Sequence, residues 1–286
     1  MEGMEIQRDT LVWGQTGGKV RLVFADATKA ARDLASSHLA GPAASEALAE
    51  GLAAAALLCA DLGTPQEAAT LQLKTDGPIS SLLVEATFEG TLRGYTGKKI
   101  LNDFDGDEKI DMDAVFGGQG SCNVMVSLPG SILSQSATSV VPPRPAHALG
   151  QYYGLGAQRP VAVAIAVRRD AGGLACVRGF LAEKMPGCDE AEFGAVAAAV
   201  TGEGFKDRLS GAADAAALCG ELAAGGIVAP ETRPLRFACR CSHAKAVAAL
   251  RALPEEERRE MAARGADIDI FCHMCGKCHT IKAGEI

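Results

Sequence analysis

With 286 residues, 48% of them hydrophobic, the chain is long for one core, so we expect one substantial domain joined to a smaller module. A formal net charge of −7 at pH 7 argues against a protein built mainly to bind phosphate backbones, because such proteins present basic surfaces. The apolar runs around Leu52–Ala60 and Val161–Val167 are shorter than the roughly 18 residues of a membrane-spanning helix, so we expect no membrane partner.

The first 187 residues alternate between helix and strand signals. A β-rich run at Val20–Phe24 precedes two predicted helices, Ala27–Leu39, which Gly41-Pro42 ends, and the Ala/Leu-rich segment Ala43–Leu62. Five further segments are typical of strands, four of them in pairs joined by turns: Thr70–Lys74, Leu82–Phe88, Leu92–Tyr95, Val161–Val167 and Val177–Ala182. The pattern predicts an α+β domain over residues 1–187, closing near Pro186-Gly187.

Residues 188–235 are predicted to form a helical linker. Asp189–Val200 begins with acidic residues that favour a helix N-terminus, and Lys206–Ala224 is a second Ala-rich helical segment. Residues 189–224 have seven large apolar side chains, whose burial yields roughly 1.5–3 kcal/mol each, whereas ordering each backbone residue costs roughly 1–2 kcal/mol. We therefore expect these helices to need neighbours to pack on.

Residues 236–286 are predicted to form a small domain around four cysteines, which occur as two pairs: Cys239 and Cys241, then Cys272 and Cys275. Four thiolates at such spacings suit a closed tetrahedral zinc site, with Zn–S distances of about 2.3 Å. Gly276 after the second pair lets the chain turn, as in a zinc knuckle. Such a small unit needs the metal to fold, because structural zinc supplies about 10–16 kcal/mol.

The thirty residues between the two pairs are predicted to form two short helices and a strand. Ser242 can cap a helix that runs to Ala252, and Pro254 can open a second helix that ends before Gly265. Asp267–Ile270 alternates as a short strand that leads to Cys272.

Other cysteines and histidines leave alternatives open. Cys278 forms an overlapping Cys-x-x-Cys with Cys275, and we interpret it as a spare thiol, while any of His243, His273 and His279 could replace one sulfur ligand. Five scattered cysteines lie in apolar surroundings and are predicted to be small core residues: Cys59, Cys122, Cys176, Cys188 and Cys219.

Signatures of enzymes and of nucleotide or calcium sites are weak. Asp103, Asp105 and Asp107 suggest calcium, but Glu108 stands where the EF-hand loop requires glycine, so we interpret the segment as a solvated loop. The sequence shows neither a complete Walker motif nor a Gly-x-Ser-x-Gly or His-Glu-x-x-His motif. We expect a non-enzyme without a nucleotide partner.

The thiols also bear on localisation. Met1–Thr10 mixes charges and lacks the apolar stretch of a secretory signal. Ten cysteines without such a signal indicate a reducing compartment, where thiols serve metal or redox chemistry. We therefore expect a cytoplasmic protein.

These residues resemble the heat-shock protein 33 family (33 kDa chaperonin), the bacterial redox-regulated chaperones that hold unfolding proteins without ATP. The predicted small domain at residues 236–286, called the tail below, carries the most specific match, from Cys239-Arg240-Cys241-Ser242 through Gly265 to Ile268–Cys275. Weaker matches occur in the family's order along the large domain: His38-Leu39, Leu71-Gln72-Leu73, Gly77-Pro78, Arg93-Gly94-Tyr95, Gln158-x-Pro160 and Met185-Pro186-Gly187. The chain departs from the family at His279, where an aromatic residue is usual, and at Cys278, which is additional.

The resemblance implies an α+β domain, a helical linker and a zinc-binding redox domain that holds one Zn²⁺ per chain in the reduced form. It implies that oxidation joins Cys239 to Cys241 and Cys272 to Cys275 and expels zinc, after which the linker unfolds and apolar surface becomes available to unfolding client proteins. It leaves homodimerisation of the oxidised chain open.

The two implied disulfides are not expected to be equivalent. An extended span from residue i to i+2 is roughly 7 Å, at the edge of the disulfide range of about 4.4–6.8 Å between Cα atoms. We predict that Cys239–Cys241 is strained, forms less readily than Cys272–Cys275 and is reduced first. Mass mapping of a partly oxidised sample tests this order, and completion of the Cys239–Cys241 bond before the other would contradict it.

Three other function classes compete with the chaperone. A thiol–disulfide oxidoreductase needs a Cys-x-x-Cys at the start of a helix in a thioredoxin-like context, and turnover of insulin reduction would reveal it. A zinc-dependent nucleic-acid binder needs a basic face, whereas residues 231–286 hold ten Lys and Arg against eight Asp and Glu. The third is a zinc-stabilised scaffold without a switch.

Overall fold

The computed structural model describes residues 9–223 and 225–285. Residues 1–8, which carry most of the expectation about a signal sequence, and Ala224, the predicted end of a linker helix, lie outside the described residues. Helices and strands are both abundant, and the predicted α+β class is confirmed.

A buried helix forms the centre of the large domain. Helix α1 (Thr28–His38) leads into α2 (Pro42–Cys59), whose side chains are almost all buried. Helix α2 is long and apolar enough to cross a membrane, but it lies between two sheets, as the core helix of a soluble protein does. Burial on every side explains why its sequence has no polar face. Two short helices occur later in the large domain, α3 (Met112–Phe116) and α4 (Pro145–Gln151), and a π-helical turn at Tyr152–Gly156 continues α4.

The first sheet, sheet A, has five antiparallel strands: β1 (Thr10–Gln15), β2 (Val20–Asp26), β8 (Val161–Asp170), β9 (Gly173–Lys184) and β10 (Val228–Pro234). Their order across the sheet is β10-β1-β2-β9-β8. Successive side chains of a strand point to opposite faces, and both faces of sheet A are apolar. One face packs on α2, and the other contacts the linker helices.

The second sheet, sheet B, has six strands: β3 (Ala68–Thr75), β4 (Ser81–Thr87), β5 (Thr91–Thr96), β6 (Gly120–Leu128), β7 (Ser131–Val140) and β11 (Arg236–Phe237). Their order is β11-β5-β4-β3-β6-β7. The predicted β4–β5 and β8–β9 hairpins are confirmed. The β6–β7 hairpin was not predicted, because β7 is mostly exposed and lacks the apolar alternation of a half-buried strand.

The linker sequence forms three helices where two were predicted: α5 (Glu190–Thr201), α6 (Phe205–Gly211) and α7 (Ala215–Leu222). The prediction of one helix over Lys206–Ala224 was wrong. Asp214 begins α7 as its N-cap and accepts a hydrogen bond from the Ala217 N–H, so the chain breaks before it. The chain then returns to sheet A as β10, paired with β1, a strand that was not predicted.

The tail contains helices α8 (His243–Arg251) and α9 (Glu255–Ala263) and the hairpin of β12 (Ile268–Phe271) and β13 (Cys278–Ile281). Ser242 caps α8 by accepting from the Lys245 N–H, as predicted. Pro254 precedes α9 as its N-cap and is not its first residue. The tail's own apolar cluster is small, with Ala246, Val247, Leu250 and Ile281 as its buried members.

Candidate metal centre

The four predicted ligand cysteines lie together. Cys239 and Cys241 follow the short strand β11, while Cys272 and Cys275 occupy the turn between β12 and β13. All four Sγ atoms lie within 4.8 Å of one another, and among residues 9–223 and 225–285 they are the group whose ligand atoms could hold a metal ion. The spacing of the two pairs therefore identified a real cluster in space.

The turn that carries Cys272 and Cys275 has the backbone geometry of a metal-binding knuckle. The Cys272 carbonyl accepts from the N–H groups of Cys275 and Gly276, at 3.3 and 2.8 Å, and the Cys272 N–H donates to the Lys277 carbonyl at 2.9 Å. Gly276 has φ +73°, a conformation that side-chain-bearing residues rarely adopt. These bonds hold both sulfurs on the same side of the turn.

The sulfur positions fit a tetrahedral ion. A tetrahedron of sulfurs about 2.3 Å from zinc has edges of roughly 3.8 Å. The Sγ atoms of Cys239 and Cys272 are 3.8 Å apart, and those of Cys241 and Cys275 are 3.5 Å apart. Four sulfur donors at these separations match structural zinc in number, chemistry and size.

Thiol pKa values indicate why a cation stabilises this cluster. Burial raises the pKa of Cys239, but hydrogen bonds from the Cys241 N–H and from Arg93 outweigh it and bring the pKa to about 7. Burial is the largest effect at Cys241 and Cys275, and the pKa values of both are raised. Because metal ligation requires thiolates, a bound cation has to offset this cost of deprotonation.

An arginine of the large domain reaches the cluster. Arg93 on β5 donates from Nη1 to Cys239 Sγ at 3.6 Å, and its other two nitrogens hold both oxygens of Glu85 at 2.8 and 2.9 Å. Arg240, between the first two cysteines, donates to the same carboxylate at 2.7 Å. Such contacts around the ligands orient them and fix their charge.

The turn that carries Cys272 and Cys275 also docks on the C-terminal end of α1. The Ser37 hydroxyl donates to the Cys275 carbonyl. A Cβ atom at Gly276 would lie 2.4 Å from the Ser37 carbonyl oxygen and 3.0 Å from the Cα of His38. The turn therefore approaches the helix as closely as the absence of a side chain permits.

A second contact joins the same turn to β5. The Gly94 N–H donates to the Met274 carbonyl at 3.1 Å, so the turn extends the hydrogen bonding of that strand. The ring of His273 packs edge-on against Tyr95, with 5.8 Å between the ring centroids. Backbone and side chains of the tail thus meet the large domain beside the cysteine cluster.

The chain matches the family model described as "Hsp33 protein" over residues 9–282, almost its whole length. This chain belongs to the Hsp33 family. Among curated relatives, the 33 kDa chaperonin of Deinococcus radiodurans is 29% identical over 283 residues, covering 94% of each chain. A 33 kDa chaperonin of Thermus thermophilus is 30% identical over 283 residues, covering 94% of this chain and 83% of the relative.

The fold agrees with a solved member of the family. The 33 kDa chaperonin (heat shock protein 33 homolog) of Thermotoga maritima superposes with a TM-score of 0.89 at 22% identity, covering 98% of this chain and 96% of that one. Membership of the Hsp33 family supports a chaperone function, and the relatives are named chaperonins.

The histidines of the Hsp33 tail lie outside the sulfur cluster. His279 is 7% exposed, and its Nε2 lies 3.4 Å from Cys241 Sγ, one of the four clustered sulfurs. His243 pairs with Glu285 at 2.8 Å, and His273 packs on the large domain. The geometry therefore favours four sulfurs over a mixed sulfur and nitrogen set.

The remaining thiols divide as the sequence predicted. The five scattered cysteines of this Hsp33 chain are buried and free, and Cys278 is exposed at the start of β13.

The two other motifs that the sequence offered have structural settings of their own. Asp105 accepts hydrogen bonds from the N–H groups of Ala43 and Leu101, so this acidic loop supports the start of α2. Cys272 and Cys275 sit in a hairpin turn, whereas a thioredoxin-like motif begins a helix.

The contacts of Arg93, Glu85 and Ser37 were missed by sequence reasoning. Arg93 belongs to the Arg93-Gly94-Tyr95 match, but nothing in its spacing indicates that β5 borders the tail. Predicting these contacts would require knowing that β11 pairs with β5, and this pairing depends on the folded topology.

Proposed function

We propose that the chain is a redox-regulated holdase that binds unfolding proteins without ATP. Cys239, Cys241, Cys272 and Cys275 would hold one zinc ion in the reduced form, and the bound metal supplies folding free energy to the tail. Oxidation of these thiols activates the protein. The proposed compartment is the cytoplasm, where reduced thiols are the resting state.

The observation that carries this proposal is an apolar sheet face beneath the linker. The face of sheet A that points away from α2 is built from aliphatic and aromatic side chains: Val20, Leu22, Phe24, Ala162, Ala164, Ala166, Phe180 and Ala182. The linker helices bury it with Val196, Val200, Phe205, Leu209 and Leu218. A covered apolar surface of this kind is what a holdase has to expose to its clients.

Oxidation removes the ligands that the metal needs. In the proposed pairing, Cys239 bonds to Cys241 and Cys272 to Cys275, and formation of each disulfide gives two electrons to the oxidant, so that hydrogen peroxide is reduced to water. A disulfide sulfur is no longer a thiolate ligand, so the tail loses the stabilisation of about 10–16 kcal/mol that structural zinc provides. The tail then releases its contacts with α1 and β5, and the linker follows.

The test is to follow metal release and holding activity together in the full chain. Reduced protein is treated with peroxide at mildly raised temperature, without nucleotide, and zinc is measured with a chromogenic chelator. Suppression of light scattering by an unfolding client protein is recorded on the same samples. We expect zinc release and activity to rise together, and zinc release without any gain in activity would refute the proposal.

Two cysteine variants make the test specific. Cys272→Ser removes one ligand and is expected to lower zinc content and to make the reduced protein active. Cys278→Ser removes an exposed thiol three residues beyond Cys275 and outside the cluster, and is expected to leave zinc content and activation unchanged. If the two variants have the same activity in the reduced state, activity does not depend on the four clustered cysteines, and the proposal is contradicted.

A further inference from the structure

The apolar face beneath the linker contains one buried cation. Arg178 on β9 is 6% exposed and lies in the row that pairs it with Ala166 on β8 and Asp26 on β2. It is on the same face of sheet A as Phe24 and Phe180, because alternate residues of a strand share a face. A buried arginine is costly unless its donors are used, so its partners reveal its role.

The guanidinium of Arg178 is held at one end by the large domain. Its Nε donates to Asp26 at 2.8 Å, and the same carboxylate accepts from the backbone and hydroxyl of Thr28 at 3.1 and 2.7 Å. The ring centroid of Phe24 lies 5.6 Å from the guanidinium carbon. These contacts are all made within the large domain and do not involve the linker.

The other end of Arg178 binds only main-chain atoms of the linker among the described residues. Nη1 lies 3.1, 3.4 and 2.7 Å from the carbonyl oxygens of Leu209, Ser210 and Ala212. These are the carbonyls at the C-terminal end of α6, which lack partners within the helix. A rigidly held donor on an apolar face therefore binds a peptide backbone, with no contribution from the linker's side chains to this contact.

We propose that Arg178, once the linker has lifted away, anchors main-chain carbonyl groups of the client polypeptide on the same face. This rests on the proposed function, which requires that face to bind clients. Departure of the linker leaves Nη1 of this guanidinium without its acceptors amid apolar side chains, while Nε keeps its bond to Asp26. An unfolded chain offers carbonyls at every residue. Because backbone carbonyls are common to all proteins, the anchor is independent of client sequence.

The ion pair with Asp26 directs this anchor toward carbonyls and away from acidic side chains. Asp26 is 5% exposed and stays on the sheet, so its negative charge offsets that of Arg178 after the linker leaves. The negative charge of Asp26 would repel a client carboxylate bound beside it, whereas a neutral carbonyl carries no net charge to be repelled. The site therefore favours backbone over acidic side chains.

The experiment measures client binding by the oxidised full chain with Arg178→Gln. Two chemically unfolded polypeptides of matched length and apolar content are used, one acidic and one basic, together with an apolar fluorescent dye. Charge-assisted hydrogen bonds contribute enough that we expect about tenfold weaker binding of both polypeptides. Dye binding is expected to be unchanged, because the apolar face itself remains.

Arg32→Gln is the matched control. Arg32 also donates to main-chain carbonyls, those of Leu174 and Ala175, but these belong to the large domain and its side chain is exposed. We expect this variant to bind both polypeptides as the unaltered chain does. Arg178→Lys keeps the charge with fewer directed donors and is expected to fall between the two, and it serves in place of Arg178→Gln if that variant does not fold.

The outcomes separate this proposal from the proposed function. If the unaltered oxidised chain binds neither polypeptide, the proposed function fails. If it binds both, and Arg178→Gln binds them equally well, Arg178 only fastens the linker and the anchor is overturned. Loss confined to the acidic polypeptide would also overturn it, because that would show recognition of carboxylates.

Discussion

Gly276 lies where the turn between β12 and β13 packs closely on the large domain. Gly276→Ala combines a positive φ with a Cβ atom 2.4 Å from the Ser37 carbonyl oxygen. We expect the turn to retain its four cysteines but to separate from α1. Hydrogen exchange at the end of α1 and in β5 should accelerate in the reduced, metal-loaded protein.

Gly265→Ala is the control for this prediction. Gly265 also has a positive φ, +63°, but its Cβ atom would meet no neighbour within 4 Å. It carries the same kind of backbone strain without the clash. If Gly265→Ala accelerates exchange in β5 as much as Gly276→Ala does, backbone strain and not docking is responsible.

Glu46 makes stability depend on pH. Burial raises the pKa of Glu46 to about 7, and the neighbouring Glu50 contributes to this rise, against an ordinary value of 4.5. Between these two values the folded state binds a proton that the unfolded state releases. The contribution of Glu46 to stability is therefore complete below about pH 4.5 and is lost as the pH rises through about 7.

Replacing Glu46 with Gln should remove this dependence. We expect Glu46→Gln to raise the Tm at pH 8 and to change it little at pH 5, measured by thermal unfolding. Glu50→Gln serves as the contrast, because Glu50 is 6% exposed and paired with Arg144. Glu50→Gln should lower the Tm at both pH values, because it removes the ion pair with Arg144. If both variants raise the Tm, this ion pair does not stabilise the fold, and the contrast between Glu46 and Glu50 is wrong.

Among individual residues, those whose role depends on local spacing could be predicted from the sequence. Two cysteine pairs and the glycine after the second were enough to predict which cysteines cluster in space. Arg93, Ser37 and Arg178 could not be predicted, because each acts on a segment far away in sequence. Their roles follow from strand order and from the docking of the tail and linker, which no local pattern records.

Helix α6 depends on contacts outside itself. It has seven residues, too few to be stable alone, and Leu209 is fully buried against sheet A. Leu209→Ala should lower the free energy of opening the linker by about 2–5 kcal/mol, the usual cost of such a cavity. Hydrogen exchange of α6 in the reduced protein measures this directly.

Leu222→Ala provides a graded control at the end of α7. Leu222 is only partly buried against the same cluster, so the loss should be smaller. Both variants should leave zinc content unchanged, because no described residue of α5 to α7 hydrogen-bonds to the four clustered cysteines, which lie beyond β11. Equal effects of the two substitutions would indicate that the linker opens without breaking its contacts with sheet A.

At the scale of the element, the best predictions were those with a strong local signal. The Ala/Leu-rich α2 and the capped α8 were predicted closely, and so were the hairpins with apolar alternation. Strand β10 was missed because it is mostly exposed and contains Pro230 and Pro234, which are uncommon within strands. It forms because it completes the edge of sheet A beside β1, a long-range condition.

In the whole molecule, one short segment connects the linker helices to the tail. The tail docks beside sheet B, on β5 and α1, whereas the linker lies on sheet A. Strands β10 and β11 connect them, with β10 paired to β1 and β11 to β5. Strand β11 has only two residues, so it is the weakest part of this connection. In the proposed switch, this topology connects the cysteine cluster beside sheet B to the covered face of sheet A.

The connection predicts an order of opening. When zinc is removed from the reduced protein by a chelator, hydrogen exchange should accelerate first in α8 and α9, next in β11 and β10, and last in α5 to α7. The reason is that the tail has a small apolar cluster of its own, whereas the linker retains its contacts with sheet A until β10 is released. Returning zinc should reverse the sequence. Linker exchange that stays unchanged in the metal-free protein would show that metal and linker are not coupled, and the proposed switch would then lack its mechanical step.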